Sequence, residues 1–340
     1  MDPRLEEKYS RQMLFAEIGE AGQKRLCASS VVIAGCGAIG GAAANLLARA
    51  GVGRLRVIDR DYVEPSNLQR QLLFDEADAR EALPKAVAAE RKLRAINSGV
   101  TVEGRIADLI PKNAEELLGG HDLILDGTDN FETRFLLNDF AVKNGKPWIY
   151  AAAVASYGVS MVIRPGISPC LACLLESGSP GVEETCDTIG VLGAIVGLIA
   201  SFEAGEAIKL LAGREDALHG RLVACDVWSG RWQSVRVARV PDCPVCTGRK
   251  FRYLEGKAQP HLTMCGRDSV QIHERGRRLD LLALRERLAA AVSGVSSNEY
   301  LLRFRVPPYE ITVFTDGRAI IKGTRDPSVA RSLYARYIGA

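Results

Sequence analysis

A chain of 340 residues, 47% hydrophobic and 25% charged, has the composition of a globular protein. It is long enough to bury a large core and to hold one large domain plus a smaller one. A formal net charge of +3 is too small to argue for nucleic acid or an anionic membrane as partner.

The first residues, Met1 to Lys8, are charged and lack the apolar core of a signal peptide. Nine cysteines in such a chain predict a reducing, cytoplasmic setting, where thiols bind metal or react rather than form disulfides. The apolar run 31–34, Val-Val-Ile-Ala, reads as a strand that ends at Gly35-x-Gly37-x-x-Gly40, and Ala42 to Ala50 reads as the helix behind that turn. Leu55 to Asp59 is the next strand, Lys85 to Ile96 a helix, Thr101 to Ile106 a strand. Leu123 to Asp126 is a buried strand, Phe131 to Asn144 a helix, Trp148 to Ala151 a strand. This alternation predicts an α/β fold, a Rossmann-like doubly wound, mostly parallel sheet covered on both faces.

From about Tyr157 the pattern changes. Val159 to Arg164, Gly220 to Asp226 and Trp232 to Val240 read as strands of a more antiparallel half. The apolar stretch Ile189 to Ala200 is too short to span a bilayer and is followed by Glu203 and Glu206, so a buried helix is expected. Residues 1–250 are assigned to the large domain, 251–262 to a linker and 263–340 to a small α+β domain. In that last domain the elements are Ser269 to Ile272, a helix from Leu279 to Val292, strands Tyr300 to Arg305, Ile311 to Phe314 and Ala319 to Lys322, and a closing helix Pro327 to Tyr337.

Two cysteine pairs, Cys170-x-x-Cys173 and Cys243-x-x-Cys246, offer the four thiolates that tetrahedral zinc takes. Four thiolates leave no open position for water, so the metal is expected to be structural. The Gly loop alone is weak evidence; with Asp59 about 20 residues on, it suits an NAD-dependent oxidoreductase as well as any nucleotide enzyme. The next segment separates the two. Asp59-Arg60-Asp61-Tyr62-Val63-Glu64-Pro65-Ser66-Asn67-Leu68-Gln69-Arg70-Gln71 has no role in a generic dehydrogenase. It closely resembles the DxDxVxxSNLxRQ signature of the ubiquitin-activating-enzyme-like superfamily, the ThiF/MoeB/HesA group. Tyr9-Ser10-Arg11-Gln12, Pro84-Lys85 and Asp126-Gly127-Thr128-Asp129-Asn130 resemble further segments of that group, as do the two cysteine pairs, and the resemblance covers about residues 5 to 247.

The resemblance implies an enzyme that adenylates the C-terminal glycine of a small β-grasp ubiquitin-like or sulfur-carrier protein with ATP and magnesium. Asp59 would hold the ribose hydroxyls; Asn67, Arg70 and Lys85 would hold the phosphates, and Asp61 and Ser66 would belong to the same nucleotide-binding set. Asp129 would bind magnesium, with Asn130 beside the nucleotide, and the backbone at Gly35, Gly37, Ala38 and Gly40 would approach the phosphates. Arg11 would reach into the partner subunit of a homodimer, where a charged planar fork suits a polyphosphate. Outside these motifs Arg11, Arg70 and Lys85 would read as solvated charges, and Asp126 or Asp129 as a helix cap. Cys186, in the loop before the apolar helix, stands where some relatives form a thioester or acyl disulfide and others use no thiol. Cys27, Cys36 and Cys225 read as small core residues, and Cys265 as structural or as a second thiol. The last domain lies outside the shared region, and its docking of a partner or carrier is an expectation by analogy. Within the superfamily, activation of a peptide terminus or tRNA nucleoside is the rival reading; outside it, a non-catalytic scaffold.

Overall fold

The structure is a computed structural model, and it describes residues 3–175, 189–257, 269–273, 279–289 and 292–339. The chain divides into two compact units, Met1–His261 and Leu262–Ala340.

In the first unit eight strands form one sheet in the order β3-β2-β1-β4-β5-β6-β7-β8. They are β1 Ser30–Ala34, β2 Arg54–Asp59, β3 Thr101–Ile106, β4 Leu123–Asp126, β5 Trp148–Val154, β6 Tyr157–Ile163, β7 Leu222–Asp226 and β8 Arg231–Val235. The five strands from β3 to β5 are parallel, and β5 through β8 are antiparallel. A mixed α/β sheet with a parallel and an antiparallel half is therefore the architecture, and the 3-2-1-4-5 order of its parallel half is Rossmann-like. All residues of β1 and β4 are buried, as continuous apolar runs covered on both faces should be.

Helix Phe131–Asn144 starts where Asn130 caps it: the Asn130 carboxamide oxygen accepts from Thr133 N at 2.8 Å. The 20-residue helix Gly193–Ala212, about 30 Å long, takes up only Gly193 to Ala200 of the apolar stretch, Ile189 to Leu192 lying before its start. It packs against helix Ala38–Ala50 and strands β5 and β6, with Ile195, Val196, Ile199 and Ala200 buried. Among the described residues no helix is long and apolar enough to cross a membrane. Two helices, Pro3–Met13 and Gly19–Ala28, precede β1 and were not anticipated. The expected strand Trp232 to Val240 is shorter, Arg231–Val235, because β7 offers it only five partners. The segment taken as a linker begins packed: Phe251, Tyr253 and Leu254 lie against the first unit's core, with Tyr253 stacked on Phe135 at 4.9 Å.

The second unit is a five-stranded antiparallel sheet, β10-β11-β12-β13-β9, made of β9 Ser269–His273, β10 Ser293–Ser297, β11 Leu301–Val306, β12 Tyr309–Phe314 and β13 Arg318–Lys322. Leu302, Phe304, Ile311, Val313, Ala319 and Ile321 form one apolar face. Helices Leu281–Ala289 and Pro327–Tyr337 cover it through Leu284, Leu288, Ala330 and Tyr334. Strand β10, Ser-Gly-Val-Ser-Ser, was not anticipated. It is an edge strand with a register irregularity and has little apolar alternation to announce it.

Candidate nucleotide site and cysteine cluster

In the parallel half, Ala34 pairs with Ile58 on one side and Asp126 on the other. The loops that follow β1, β2 and β4 therefore leave the sheet at one edge. Strand order reverses between β1 and β4, the position where open α/β sheets bind ligands. Gly35 opens the first loop with φ +88°, a left-handed conformation that favours glycine, and its N–H donates to Ile58 O at 2.8 Å. A side chain on Gly40 would fall on the Gly35 carbonyl, and one on Gly35 would come 2.5 Å from Gly127 O. The loops after β1 and β4 are thus in backbone contact, which brings Gly37 and Ala38 toward the Asp126–Asn130 segment.

Asp59, at the end of β2, is buried. Its Oδ2 accepts from Cys36 N at 2.7 Å and its Oδ1 from Asp61 N at 2.7 Å. Burial pushes its acid up from the usual carboxylate range, Lys85 pulls it down and Asp61 pushes it up again. Lys85 opens helix Lys85–Ile96. Its backbone N–H donates to Asp61 O at 2.8 Å, and its buried ammonium lies 3.4 Å from Asp61 Oδ2.

The segment between carries Ser66, Asn67 and Arg70. Arg70 Nη1 donates to Ser66 O at 2.9 Å. Asn67 is buried; its Oδ1 accepts from Glu64 N at 3.1 Å, while Nδ2 has no partner among the described residues. Gln71 is also buried, with Oε1 without a partner among the described residues, and its amide nitrogen is 4.0 Å from where a side chain on Gly37 would begin. Two orphaned buried polar atoms beside a glycine loop are what a polar ligand would satisfy.

Past β4, Asp126 is fully buried. Its Oδ1 accepts from Thr128 N and Oγ1 at 2.9 and 2.6 Å, and its Oδ2 pairs with Arg134 Nε at 3.1 Å. Arg134 Nη2 also donates to Thr128 O at 2.7 Å and lies over the rings of Phe131 and Tyr150. This buried pair fixes the turn from which Asp129 projects exposed, next to Asn130. Arg11, in the last turn of helix Pro3–Met13, is exposed and makes no hydrogen bond or ion pair with the described residues. Cys186 and Cys265 lie outside the described residues. Cys36 and Cys225 are buried and Cys27 is half-buried. Gln71, Arg134 and Gly127 were not singled out as site residues from the sequence; their burial and contacts mark them here.

The four expected ligand cysteines come together. The sulfurs of Cys170, Cys173, Cys243 and Cys246 all lie within 4.8 Å of one another. The separations Cys170–Cys173, Cys170–Cys243 and Cys173–Cys246 are 3.8, 3.6 and 3.5 Å. A tetrahedral thiolate site with bonds of about 2.3 Å has sulfurs about 3.8 Å apart, so the donor set fits zinc.

Residues 9–245 match the ThiF family. The chain is 44% identical over 336 residues to the sulfur carrier protein ThiS adenylyltransferase of Bacillus subtilis (strain 168), covering 98% of this chain and 99% of that one. It is 39% identical to the SAMP-activating enzyme E1 of Haloferax volcanii, over 72% of this chain and 90% of that one. Among solved structures, E. coli MccB with MccA-N7isoASN superposes with a TM-score of 0.63 at 24% identity, covering 71% of this chain and 74% of that one, a likeness of fold. A match of this extent to the family, with one relative aligned nearly end to end, has one reading: the chain is a member of the ThiF family, within the ThiF/MoeB E1-like superfamily of adenylyltransferases.

Proposed function

We propose that this chain adenylates the C-terminal carboxylate of a small β-grasp sulfur-carrier protein with ATP. The carrier reading is supported by the end-to-end similarity to a ThiS adenylyltransferase. The single structural observation that carries the chemistry is the junction of the Gly35–Gly40 loop, Asp59, the Asp61–Lys85 pair and the Asp126–Asn130 turn at one sheet edge. A carboxylate oxygen of the carrier attacks the α-phosphorus; the bond from that phosphorus to the pyrophosphate oxygen breaks, giving acyl adenylate and pyrophosphate. Two anions must approach each other for this, and the site's task is to cancel their repulsion.

Asp59 would accept from the ribose hydroxyls, with Asp61 holding Lys85 in place. Ser66, Asn67, Arg70 and Lys85 would hold the phosphates, Gln71 joining them through its buried carboxamide. The backbone at Gly35, Gly37, Ala38 and Gly40 would let the phosphates come close to the helix N-terminus behind them. Asp129, exposed, would hold magnesium, which would neutralise phosphate charge as it accumulates; Asn130 would sit beside the nucleotide. Donors aimed at developing charge are each worth roughly 10²–10³ in rate. Arg11, exposed and without a hydrogen bond or ion pair among the described residues, suits delivery to the second subunit of a homodimer. Cys170, Cys173, Cys243 and Cys246 would hold zinc as a structural clamp between two segments of the first unit. Cys186 is proposed as the thiol that receives the acyl group.

Carrier-dependent exchange of labelled pyrophosphate into ATP tests the reaction. Hydride transfer with NAD and no exchange would overturn it. Intact-mass analysis of a carrier–enzyme adduct, lost in Cys186→Ser while exchange persists, tests the thiol.

A further inference from the structure

Glu203 belongs to none of the motifs, yet it is fully buried in the middle of helix Gly193–Ala212. Its Oε1 accepts from the backbone N–H of Asp126 at 3.2 Å, at the end of β4. Asp126 in turn holds Thr128 and Arg134, and so fixes the turn that carries Asp129 and Asn130. The same helix begins against the segment that bears Arg70: a side chain on Gly193 would come 2.8 Å from Gln69 O and 3.6 Å from Arg70 Cα. One rigid rod therefore touches both the Gln69–Arg70 backbone and the Asp126 strand end.

We propose that Glu203 is a positioning residue for adenylation: its carboxyl, supported by the long helix, sets the Asp126–Asn130 turn at the height that aims Asp129 at the nucleotide's metal. This rests on the reading of the site as a metal-dependent nucleotide site. Burial, together with the Asp126 carboxylate beside it, pushes the Glu203 acid well above the usual carboxylate range, which favours its neutral form. A neutral carboxyl can accept from the Asp126 amide without adding a second negative charge beside Asp126. A carboxamide presents the same acceptor, so Glu203→Gln should preserve the function, whereas a side chain that cannot accept should not. The charged group that acts on Glu203 is Asp126, whose amide it holds and whose charge it feels; Asp126 is in turn paired with Arg134.

The test is magnesium titration of ATP binding, read with a fluorescent ATP analogue, alongside pyrophosphate exchange in Glu203→Gln, Glu203→Leu and Glu203→Asp. Removing a group that orients a metal ligand typically weakens metal affinity by ~10- to 100-fold. Glu203→Leu should raise the magnesium needed for half-maximal binding about ten-fold, and KM for ATP should rise more than kcat falls. Glu203→Asp, one methylene short of the Asp126 amide and the gentler change to the core, should move the same way, and Glu203→Gln should restore wild-type behaviour. A Glu203→Leu or Glu203→Asp protein that melts lower but keeps wild-type magnesium dependence would overturn the proposal, as would a Gln variant impaired as much as the Leu one. Wild-type protein that binds magnesium-ATP without exchanging label would count against the adenylation reading, while the binding titrations still decide on Glu203.

Discussion

Replacing Lys85 by Met separates chemistry from folding at this site. The Lys85 side chain is 8% exposed, and its ammonium lies 3.4 Å from an Asp61 carboxylate that is 37% exposed. With one partner so accessible, the pair contributes no more than about 1 kcal/mol to folding. Removing the ammonium also relieves the desolvation of a buried charge, and Met keeps most of the apolar stem. The melting temperature should therefore move little. The rate should move much more, because the lost charge is one that would face the triphosphate. Loss of one such donor lowers turnover by ~10²–10³, about 2.7–4 kcal/mol of transition-state stabilisation. A second signature follows from Asp59. Lys85 does most to draw the Asp59 acid down against burial, ahead of the Asp61 and Cys36 amides, so its removal lets that acid rise further. If Asp59 acts as an ionised acceptor of ribose hydroxyls, activity grows as pH rises through its titration. The acid limb of the residual activity should then shift to higher pH. The assay is pyrophosphate exchange against pH, beside thermal melts of the same preparations. Exchange within about three-fold of wild type at saturating ATP, with an unmoved acid limb, would refute the role given to Lys85.

Metal analysis should find one zinc per chain, and Cys170→Ser or chelation should remove it and lower the melting temperature. The cluster bridges cysteines 73 residues apart, a closure worth about 4 kcal/mol by loop entropy. Asp139 gives a pH prediction. Burial pushes its acid up to about 6, although Leu254 N and Tyr253 N donate to its Oδ2. The folded chain thus holds this proton more tightly than the unfolded chain, so the contribution is full below the ordinary carboxylate value near 3.8 and is lost as pH rises through 6. Asp139→Asn should flatten that loss and raise stability at pH 7.5 by up to about 3 kcal/mol in denaturant melts; an unchanged pH profile would contradict it. A chain ended after Lys257 should keep pyrophosphate exchange and lose affinity for the carrier or a later partner. Its length would be near that part of the chain which matches the SAMP-activating relative, and loss of exchange in a folded truncation would refute a docking role for the second unit.

The parts of this molecule that were legible in sequence are those where one residue type has one physical use. Val31 to Ala34 and Leu123 to Asp126 read as buried parallel strands because a continuous apolar run with a glycine or acid at its end has few other fates. The four cysteines were legible because a pair spaced by two residues is a ligand unit, and the fold then had only to bring the two units together. The N-terminal helices were hidden: Gly19–Ala28 carries two glycines and weak periodicity, and what holds it is its packing against helix Gly193–Ala212. The same explanation covers the residues that support the site. Arg134 and Glu203 are polar and stand outside the quoted motif residues, and from sequence a polar residue on a helix is a solvated face.

What converts them is burial by elements distant in the chain. Arg134 becomes a clamp only because β4 ends with Asp126 beside it, and Glu203 becomes an anchor only because its helix runs under the end of that strand, 77 residues away. A motif names groups that touch the substrate, since their chemistry constrains their type. Groups that hold those residues in place are constrained by geometry, and a Glu, a protonated Glu and a Gln can present the same acceptor there. The nucleotide-facing layer of such a site can be written as a pattern, while the layer beneath it has to be read from the packed chain.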